Sequence, residues 1–320
     1  MQYVYQQIRF PDMSEHPSIR RLVTHLKESH RFSPKAIIST VFGDLILPHG
    51  GYIWLGSLVE SASLFNISAS HARTSILRLG YEGWLKNFRV GKLSYYTMSE
   101  DVMRDYVTPV YGVPNEAWTN DWLIVFTAMA DLPKQAYTKL RQALIWEGVG
   151  QLSPHVFIVP AADGERVRHV LGKFKLDNRV QMLSAQTVVG NNPDLVRRMA
   201  REAWTLSEIE KKYEGFLARF RPLLQVIERH GESLDDETCF VIRTLLMLDY
   251  RVIAIRDPHL PSSLLPHPWA GHAAFALCKA LYQQVLNGSE AYLHRVMKTS
   301  DGPLMPPNQM LWGRFGGLRD

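Results

Sequence analysis

Residues 64–79 read Leu-Phe-Asn-Ile-Ser-Ala-Ser-His-Ala-Arg-Thr-Ser-Ile-Leu-Arg-Leu, and this stretch decides the fold that we predict for the chain. Ser68 is a favourable N-cap, because its hydroxyl can accept an early backbone N–H. Ala72, Ile76 and Leu79 then recur at helical spacing. The sequence therefore predicts a helix that begins after Ser68 and buries one apolar face.

A shorter helix precedes this segment and a hairpin follows it. Leu55, Leu58 and Val59 share one helical face, and Phe65-Asn66 ends that helix. Trp84-Leu85 and 93–97 are β-rich runs, joined through a basic turn that contains Gly91. Helix, turn, helix and basic hairpin in this order predict a winged helix-turn-helix, with a small α+β core as the alternative.

The predicted DNA contacts lie on the outer face of the second helix and in the hairpin. They are Ser70, His71, Arg73, Thr74, Arg78, Arg89 and Lys92. We predict that His71 and Thr74 contribute to base readout and that the cations mainly contact phosphates. A structural role for Arg73, paired with Glu82 or a backbone carbonyl, remains open.

The basic charge is concentrated in the same region. Residues 1–99 contain 11 Lys and Arg against 6 Asp and Glu, a net charge of +5. Residues 100–320 contain 25 of each and are neutral, so the whole excess accompanies the predicted DNA-binding segment. Phosphate contacts dominate non-specific DNA affinity, and this distribution favours a nucleic-acid partner.

Length and composition predict a cytoplasmic, multidomain protein. At 320 residues the chain exceeds what a single core usually supports. No signal-peptide pattern opens it, and the longest uncharged run, 258–278, contains four prolines, which argues against a membrane span. Two cysteines, Cys239 and Cys278, do not indicate a disulfide framework.

The middle of the chain predicts a β-α-β-β-α-β order. Strands are expected to begin at Trp122 and at His155 and to cover 180–188. Helices are expected over 134–146 and through Val167. The order is complete if a further short strand lies near 150–152. This order is that of a ferredoxin-like domain.

The last third of the chain predicts helices. A capping box at Ser207 and Glu210 opens one helix, which Pro222 should end or kink. Residues 236–256 form an apolar helix that carries arginines, for which Asp249 and Asp257 are the expected partners.

These elements give an α+β multidomain fold: an N-terminal winged helix-turn-helix, a middle ferredoxin-like domain and a C-terminal helical domain. The predicted boundaries are an extension with an amphipathic helix over 1–30, the winged domain over 31–99, a linker over 100–120, the ferredoxin-like domain over 121–190 and the helical domain over 191–320.

Several motifs resemble those of the PaaX family of transcriptional repressors of bacterial phenylacetate degradation. They include 50–58 (Gly-Gly-Tyr-Ile-Trp-Leu-Gly-Ser-Leu), 82–85 (Glu-Gly-Trp-Leu), Leu144-x-Trp146-x-Gly148-x-Gly150-x-Leu152-x-Pro154, Asp257-Pro258-x-Leu260-Pro261 and 314–317 (Arg-Phe-Gly-Gly). The resemblance covers nearly the whole chain. It implies a DNA-binding repressor with a Cas2-like middle region, released from its operator by phenylacetyl-CoA.

The resemblance leaves two alternatives open. A regulator of this kind could answer another acyl-CoA or an aromatic ligand. Cas2-like folds can also be metal-dependent nucleases, but only Asp131 stands near the end of the first strand and no second acidic ligand is evident. We therefore predict no enzymatic activity, no catalytic residues and no bound metal.

The sequence also predicts which residues bind the effector and how the protein assembles on DNA. A CoA thioester needs basic groups and an aromatic-lined pocket, and the C-terminal third offers Arg243, Arg251, Arg256, Trp204, Tyr213 and Trp269. Two recognition helices related by a two-fold axis reach the specificity that an operator requires, which predicts a homodimer on double-stranded DNA.

Overall fold

The structure is a computed structural model that describes residues 17–29, 32–100, 102–103, 110–111, 118–188, 192–230 and 234–318. The predicted extension before residue 17 and most of the predicted linker over 100–120 lie outside these residues. The chain divides into two compact units. Unit 1 comprises Met1–Met103, Arg219–Leu248 and Ala280–Asn308, and unit 2 comprises Arg104–Ala218, Asp249–Lys279 and Gln309–Asp320.

Unit 1 begins with two helices and a change in the helical winding of the backbone. The helices are α1 (Pro17–Ser29) and α2 (Pro34–Thr40), followed by a π-helical segment over Val41–Ile46 and a 3-10 turn over Leu47–His49. Ser33 caps α2, because its Oγ accepts from the N–H of Ala36 at 3.2 Å. The amphipathic face predicted for α1 is confirmed, with Ile19, Val23 and Leu26 buried.

The next elements form a helix pair beside a small sheet. They are β1 (Tyr52–Trp54), α3 (Leu55–Ser63), α4 (Ala69–Tyr81), β2 (Leu85–Val90) and β3 (Leu93–Met98). The antiparallel sheet has the order β1-β3-β2. Sequence reasoning placed α3, α4 and the hairpin correctly but missed β1.

Unit 2 contains a four-stranded antiparallel sheet of order β5-β6-β4-β7. Its elements are β4 (Asp121–Phe126), α5 (Lys134–Trp146), β5 (Gly150–Ser153), β6 (Val156–Pro160), α6 (Gly164–Lys173) and β7 (Gln181–Gln186). The short strand required near 150–152 is therefore present. Helices α5 and α6 cover one face, where Leu140, Val167 and Leu171 join Val125 and Phe157 in the core.

The remaining elements are largely helical, as predicted. They are α7 (Pro193–Ala203), α8 (Leu206–His230), α9 (Asp236–Ala254), α10 (Ala270–Val296), the short strands β8 (Lys298–Thr299) and β9 (Gly302–Pro303), and α11 (Gln309–Trp312). Residues from the region predicted as one helical domain occur in both units. None of the helices within the described residues combines the length and apolarity needed to span a bilayer.

One local prediction in this region is wrong. Helix α8 already begins at Leu206, so Ser207 lies inside the helix and is not its N-cap. Of the two effects predicted for Pro222, an end of the helix does not occur, because Pro222 lies within α8. A proline in a helix interior costs about 3 kcal/mol, and burial of the neighbouring Phe220 and Leu223 offsets that cost.

Candidate nucleic-acid interface

Helix α4 is fixed by its cap and by its buried face. Ser68 Oγ accepts from the N–H of His71 at 3.3 Å, which orders the first turn. Ala72, Ile76 and Leu79 have no exposed surface, and α4 packs against α2 and α3. The orientation of the opposite face is therefore set by the core of unit 1.

That opposite face presents all five predicted helical residues to solvent. Ser70, His71, Arg73, Thr74 and Arg78 are exposed. The hydroxyl of Thr74 donates to the carbonyl of Ser70 at 3.0 Å, so it offers its oxygen and its methyl group, but no free proton, to a base.

Two apolar side chains on the same face were missed by sequence reasoning. Leu77 is 51% exposed and Tyr81 is 89% exposed. Both were detectable, because they follow Ser70 by seven and eleven residues, which is helical spacing. Together with the polar residues they give a mixed surface that suits base edges and thymine methyl groups.

The cations around this face are available to an anionic partner. Glu82 pairs with Lys35, so the pairing of Arg73 with Glu82 that sequence reasoning left open does not occur. Within the part of the chain that the structure describes, Arg73, Arg78, Arg89 and Lys92 take part in no ion pair. Exposed cations of this kind are the groups that contact phosphates.

The hairpin carries the other predicted contacts. Gly91 adopts φ 59° in the two-residue turn between β2 and β3, a conformation that glycine adopts without strain. In the strand register Arg89 lies opposite Ser94, and Lys92 lies in the turn. Both cations are exposed.

A buried ion network lies elsewhere in unit 1. Arg243 has no exposed surface; its Nε donates to Asp44 Oδ2 at 3.0 Å and its Nη1 to Glu290 Oε1 at 2.6 Å. The guanidinium also lies 4.9 Å from the ring centre of Tyr282. Asp44 belongs to the π-helical segment, so the network joins this segment to α9 and α10 within unit 1.

Electrostatics keeps the network ionised. Burial alone would lower the pKa of the Arg243 guanidinium, but Tyr282, Asp44 and Glu290 raise it above its ordinary value. Burial likewise acts to raise the pKa of Glu290, yet the hydrogen bond with His49 and the charge of Arg243 lower it overall. His49 Nδ1 lies 2.7 Å from the carbonyl of Met305, to which it can only donate, and its Nε2 lies 3.1 Å from Glu290 Oε2.

The predicted effector residues are not all in one place. Arg243 belongs to unit 1, where protein carboxylates bind its guanidinium, and the other five belong to unit 2. Asp249 and Asp257 were expected to be the partners of the arginines in 236–256, and for Arg243 this expectation is wrong. Arg251 is half-buried, whereas Arg256 is exposed because α9 ends at Ala254.

Among the aromatic residues of unit 2, Tyr213 and Trp269 are in contact. Their ring centres are 6.0 Å apart in an edge-to-face arrangement, and Tyr213 Oη donates to Asp257 Oδ2 at 2.7 Å. Burial, and next the charge of Asp257, raise the pKa of Tyr213 well above its ordinary value. Trp204 lies elsewhere in unit 2, where its Nε1 donates to the carbonyl of Gly148 at 2.7 Å.

A cavity of about 470 Å³ opens beside Trp269. Its lining combines apolar and charged groups: Arg201, Glu210, Glu214, Pro266, His267, Pro268, Trp269, Ala270 and Ala273. Arg201 Nη2 lies 3.8 Å from Glu210 Oε2. Two carboxylates against one guanidinium disfavour a polyphosphate inside this cavity, while the indole and the prolines suit an apolar group.

No metal centre is found among the described residues, because no three His, Cys, Asp or Glu side chains are grouped to hold an ion. Asp131, the carboxylate considered for a nuclease site, ends the 3-10 turn at Ala128–Ala130 with φ 43°.

The fold and the site define a class of multidomain proteins, in which a small domain with an exposed polar helix and a basic hairpin precedes an antiparallel α+β domain and helices. Three families match successive parts of the chain: PaaX-like protein over 33–102, PaaX protein central Cas2-like domain over 115–196, and PaaX-like protein C-terminal domain over 204–295. The chain is 32% identical over 299 residues to the transcriptional repressor PaaX of Escherichia coli (strain K12), covering 92% of this chain and 94% of that protein. The chain therefore belongs to the PaaX family.

A solved structure has a similar fold. It is an uncharacterized protein from Mycobacterium tuberculosis, which aligns with a TM-score of 0.52 and 18% identity over 81% of this chain and 97% of that chain. At this identity the similarity concerns the fold alone.

Proposed function

We propose that this protein is a cytoplasmic, DNA-binding transcriptional repressor without enzymatic activity. One observation carries the proposal: the outward face of α4 and the β2–β3 hairpin expose polar side chains and four cations that no described carboxylate neutralises. Membership of the PaaX family supports it, because the E. coli relative is named a transcriptional repressor.

In this proposal residues 31–99 act as a winged helix-turn-helix. Helix α4 enters the major groove, and the hairpin is the wing. The all-antiparallel sheet of order β5-β6-β4-β7, covered by α5 and α6, acts as a ferredoxin-like scaffold.

The proposal predicts a separation between specific and non-specific binding. His71→Ala with Thr74→Ala should weaken binding to a duplex selected from a random library by about 10–100-fold, because these side chains no longer read the bases. Affinity for random-sequence DNA should change little, since the phosphate contacts remain. Fluorescence anisotropy on both duplexes measures the difference.

Ser63→Ala is a matched control, since Ser63 is an exposed polar residue on the neighbouring helix α3. An equal reduction in affinity on both duplexes would contradict base readout by His71 and Thr74. Failure of the unmodified protein to enrich any duplex would contradict the repressor function itself.

We further propose that the protein binds its operator as a homodimer. One recognition helix reads only a few base pairs, and a two-fold pair reads two half-sites about one helical turn or a multiple of it apart. We place the dimer surface in the middle and C-terminal regions, where Leu183 on the edge strand β7 is 47% exposed.

Sedimentation of the protein with and without operator DNA tests the assembly. A dimer and one dimer per two-half-site duplex are expected. A monomer that binds a single half-site with undiminished affinity would refute the dimer proposal.

For the effector we propose phenylacetyl-CoA and, as target, genes of phenylacetate catabolism, because the motifs resemble those of this family. The cavity beside Trp269 suits the phenylacetyl end, which is apolar, while the acidic side chains Glu210 and Glu214 require the CoA phosphates to lie outside it. Of the six residues predicted from sequence, Trp269 lines this cavity and Tyr213 packs against Trp269.

A further inference from the structure

Helix α4 carries a stripe of exposed residues along the line opposite to its buried face. At 3.6 residues per turn, successive residues lie about 100° apart around the helix axis. Four exposed residues follow one another by four, three and four positions, so they lie within about 30° of one direction. We define them as the outer stripe: Ser70, Thr74, Leu77 and Tyr81. A partner that approaches the exposed face of α4 meets the outer stripe first.

Most of the outer stripe is apolar. The hydroxyl of Thr74 donates to the carbonyl of Ser70 at 3.0 Å, so its proton is not available to a partner. Leu77 is 51% exposed and Tyr81 is 89% exposed. A leucine neither donates nor accepts a hydrogen bond, and polar atoms buried against it would be left unsatisfied. A partner that buries Leu77 must therefore offer an apolar group opposite it.

Cations border the outer stripe on both sides. Counted around the helix axis, Arg73 lies about 70° to one side of the stripe and Arg78 about 70° to the other side. Residues 69–81 contain no Asp or Glu. A second copy of α4 would bring like charges together, whereas DNA presents a phosphate strand on each side of its groove. The charges therefore favour DNA over a copy of this chain as the partner of the outer stripe.

The major groove of DNA offers an apolar group of the required kind. An α-helix is about 10–12 Å across and fits the groove width of about 12 Å. The base edges at the floor of the groove carry hydrogen-bond donors and acceptors, and thymine adds a 5-methyl group that projects into the groove. This methyl group can cover Leu77 without leaving a polar atom unsatisfied.

We propose that Leu77 is a specificity-determining residue, whose side chain packs against the 5-methyl group of a thymine in the operator, while Arg73 and Arg78 contact the phosphates on the two sides of the groove. This inference rests on the proposed DNA binding and adds an apolar base contact to the readout by His71 and Thr74. The contact is non-ionic, so its contribution to affinity does not depend on counterion release.

Removal of the methyl group from the DNA tests the contact directly. Deoxyuridine in place of thymidine deletes the 5-methyl group and keeps every hydrogen-bonding group of the base pair. In the duplex selected from the random library, this change at the contacted position should lower the affinity of the unmodified protein about fourfold, the effect of one methyl group that is no longer buried. Fluorescence anisotropy on duplexes with one deoxyuridine each locates the position, and the slope of log K against log salt should not change.

Two variants of similar size separate an apolar contact from a polar one. Leu77→Met keeps an apolar side chain and should retain the decrease in affinity that deoxyuridine causes. Leu77→Gln introduces a polar side chain and should bind the thymidine and deoxyuridine duplexes equally. Both new residues are good helix formers at an exposed position, and thermal unfolding verifies that each variant is folded. Leu195→Gln, the same change at an exposed leucine of helix α7, is the control and should retain the deoxyuridine effect.

Each other outcome overturns the inference. If deoxyuridine weakens binding of the unmodified protein at no position, Leu77 contacts no methyl group. If Leu77→Gln retains the deoxyuridine effect, another residue reads the methyl group, and if Leu77→Met loses it, an apolar side chain is not sufficient. A changed oligomeric state of Leu77→Gln with unchanged DNA affinity would make Leu77 a protein contact. These results leave the proposed DNA binding intact, whereas failure of the unmodified protein to enrich any duplex overturns the proposed function and the inference together.

Discussion

Replacing Arg243 by Ala should lower the free energy of unfolding by about 3–5 kcal/mol, because the buried carboxylate of Asp44 and the partly buried carboxylate of Glu290 would lose the guanidinium between them. Asp44 is 1% exposed and Glu290 is 20% exposed, so water cannot fully solvate them after the change. Urea unfolding at neutral pH measures the decrease. Hydrogen exchange across Val41–Ile46, the segment that contains Asp44, reports the local effect.

Arg229→Ala is the matched control, because Arg229 is an exposed arginine of unit 1 and surface changes usually stay within about 0.5 kcal/mol. A double-mutant cycle with Asp44→Asn isolates the pair: the two changes together should cost less than the sum of the single changes. A decrease below about 1 kcal/mol for Arg243→Ala, or strict additivity in the cycle, would show that the network does not stabilise unit 1.

The partners of Arg243 show where prediction from sequence stops. The apolar pattern of α9 correctly indicated that an arginine there would be buried and would need anions. It could not identify Asp44, which is 199 residues away, because only the tertiary fold brings α9 beside the π-helical segment. Asp249 and Asp257 were chosen because they are near in sequence, and proximity in sequence does not determine contacts between elements.

Elements with local signals were predicted well. Helix α5 has the predicted bounds of residues 134–146, and α4 begins directly after its predicted cap Ser68. Both rest on side-chain periodicity and end signals, which are properties of neighbouring residues. Strand β1 was missed because Tyr52–Trp54 has only three residues, too few to establish an alternating pattern.

For the candidate sites, too, local features could be predicted from the sequence and the arrangement of distant residues could not. The exposure of Ser70, His71 and Arg78 follows from the helical spacing that buries Ala72 and Ile76. The split of the six proposed effector residues between two units does not follow from any local pattern. It depends on how α9 contributes residues to both units, which only the tertiary fold determines.

Phenylacetyl-CoA is expected to bind the unmodified protein, and to bind it about 5–150-fold more weakly when operator DNA is present. If phenylacetyl-CoA releases the protein from DNA, then phenylacetyl-CoA and operator DNA must favour different conformations of the protein. A coupling free energy of about 1–3 kcal/mol must then appear in both binding equilibria. Isothermal titration with and without operator measures this ratio. Equal affinities in the two titrations would exclude phenylacetyl-CoA as the releasing ligand.

The cavity beside Trp269 can be tested as the acyl site by filling it. Ala273 is exposed and lines the cavity, whereas Ala276 is exposed on the same helix α10 but does not line it. Ala273→Phe should therefore abolish binding of phenylacetyl-CoA in the titration and leave operator affinity unchanged, because the added ring occupies the space of the ligand. Ala276→Phe, the same change on the same helix, should retain ligand binding. If Ala273→Phe still bound phenylacetyl-CoA, the effector would bind at another site. If the unmodified protein did not bind phenylacetyl-CoA, this ligand would be rejected as the effector, and the DNA-binding proposal would stand.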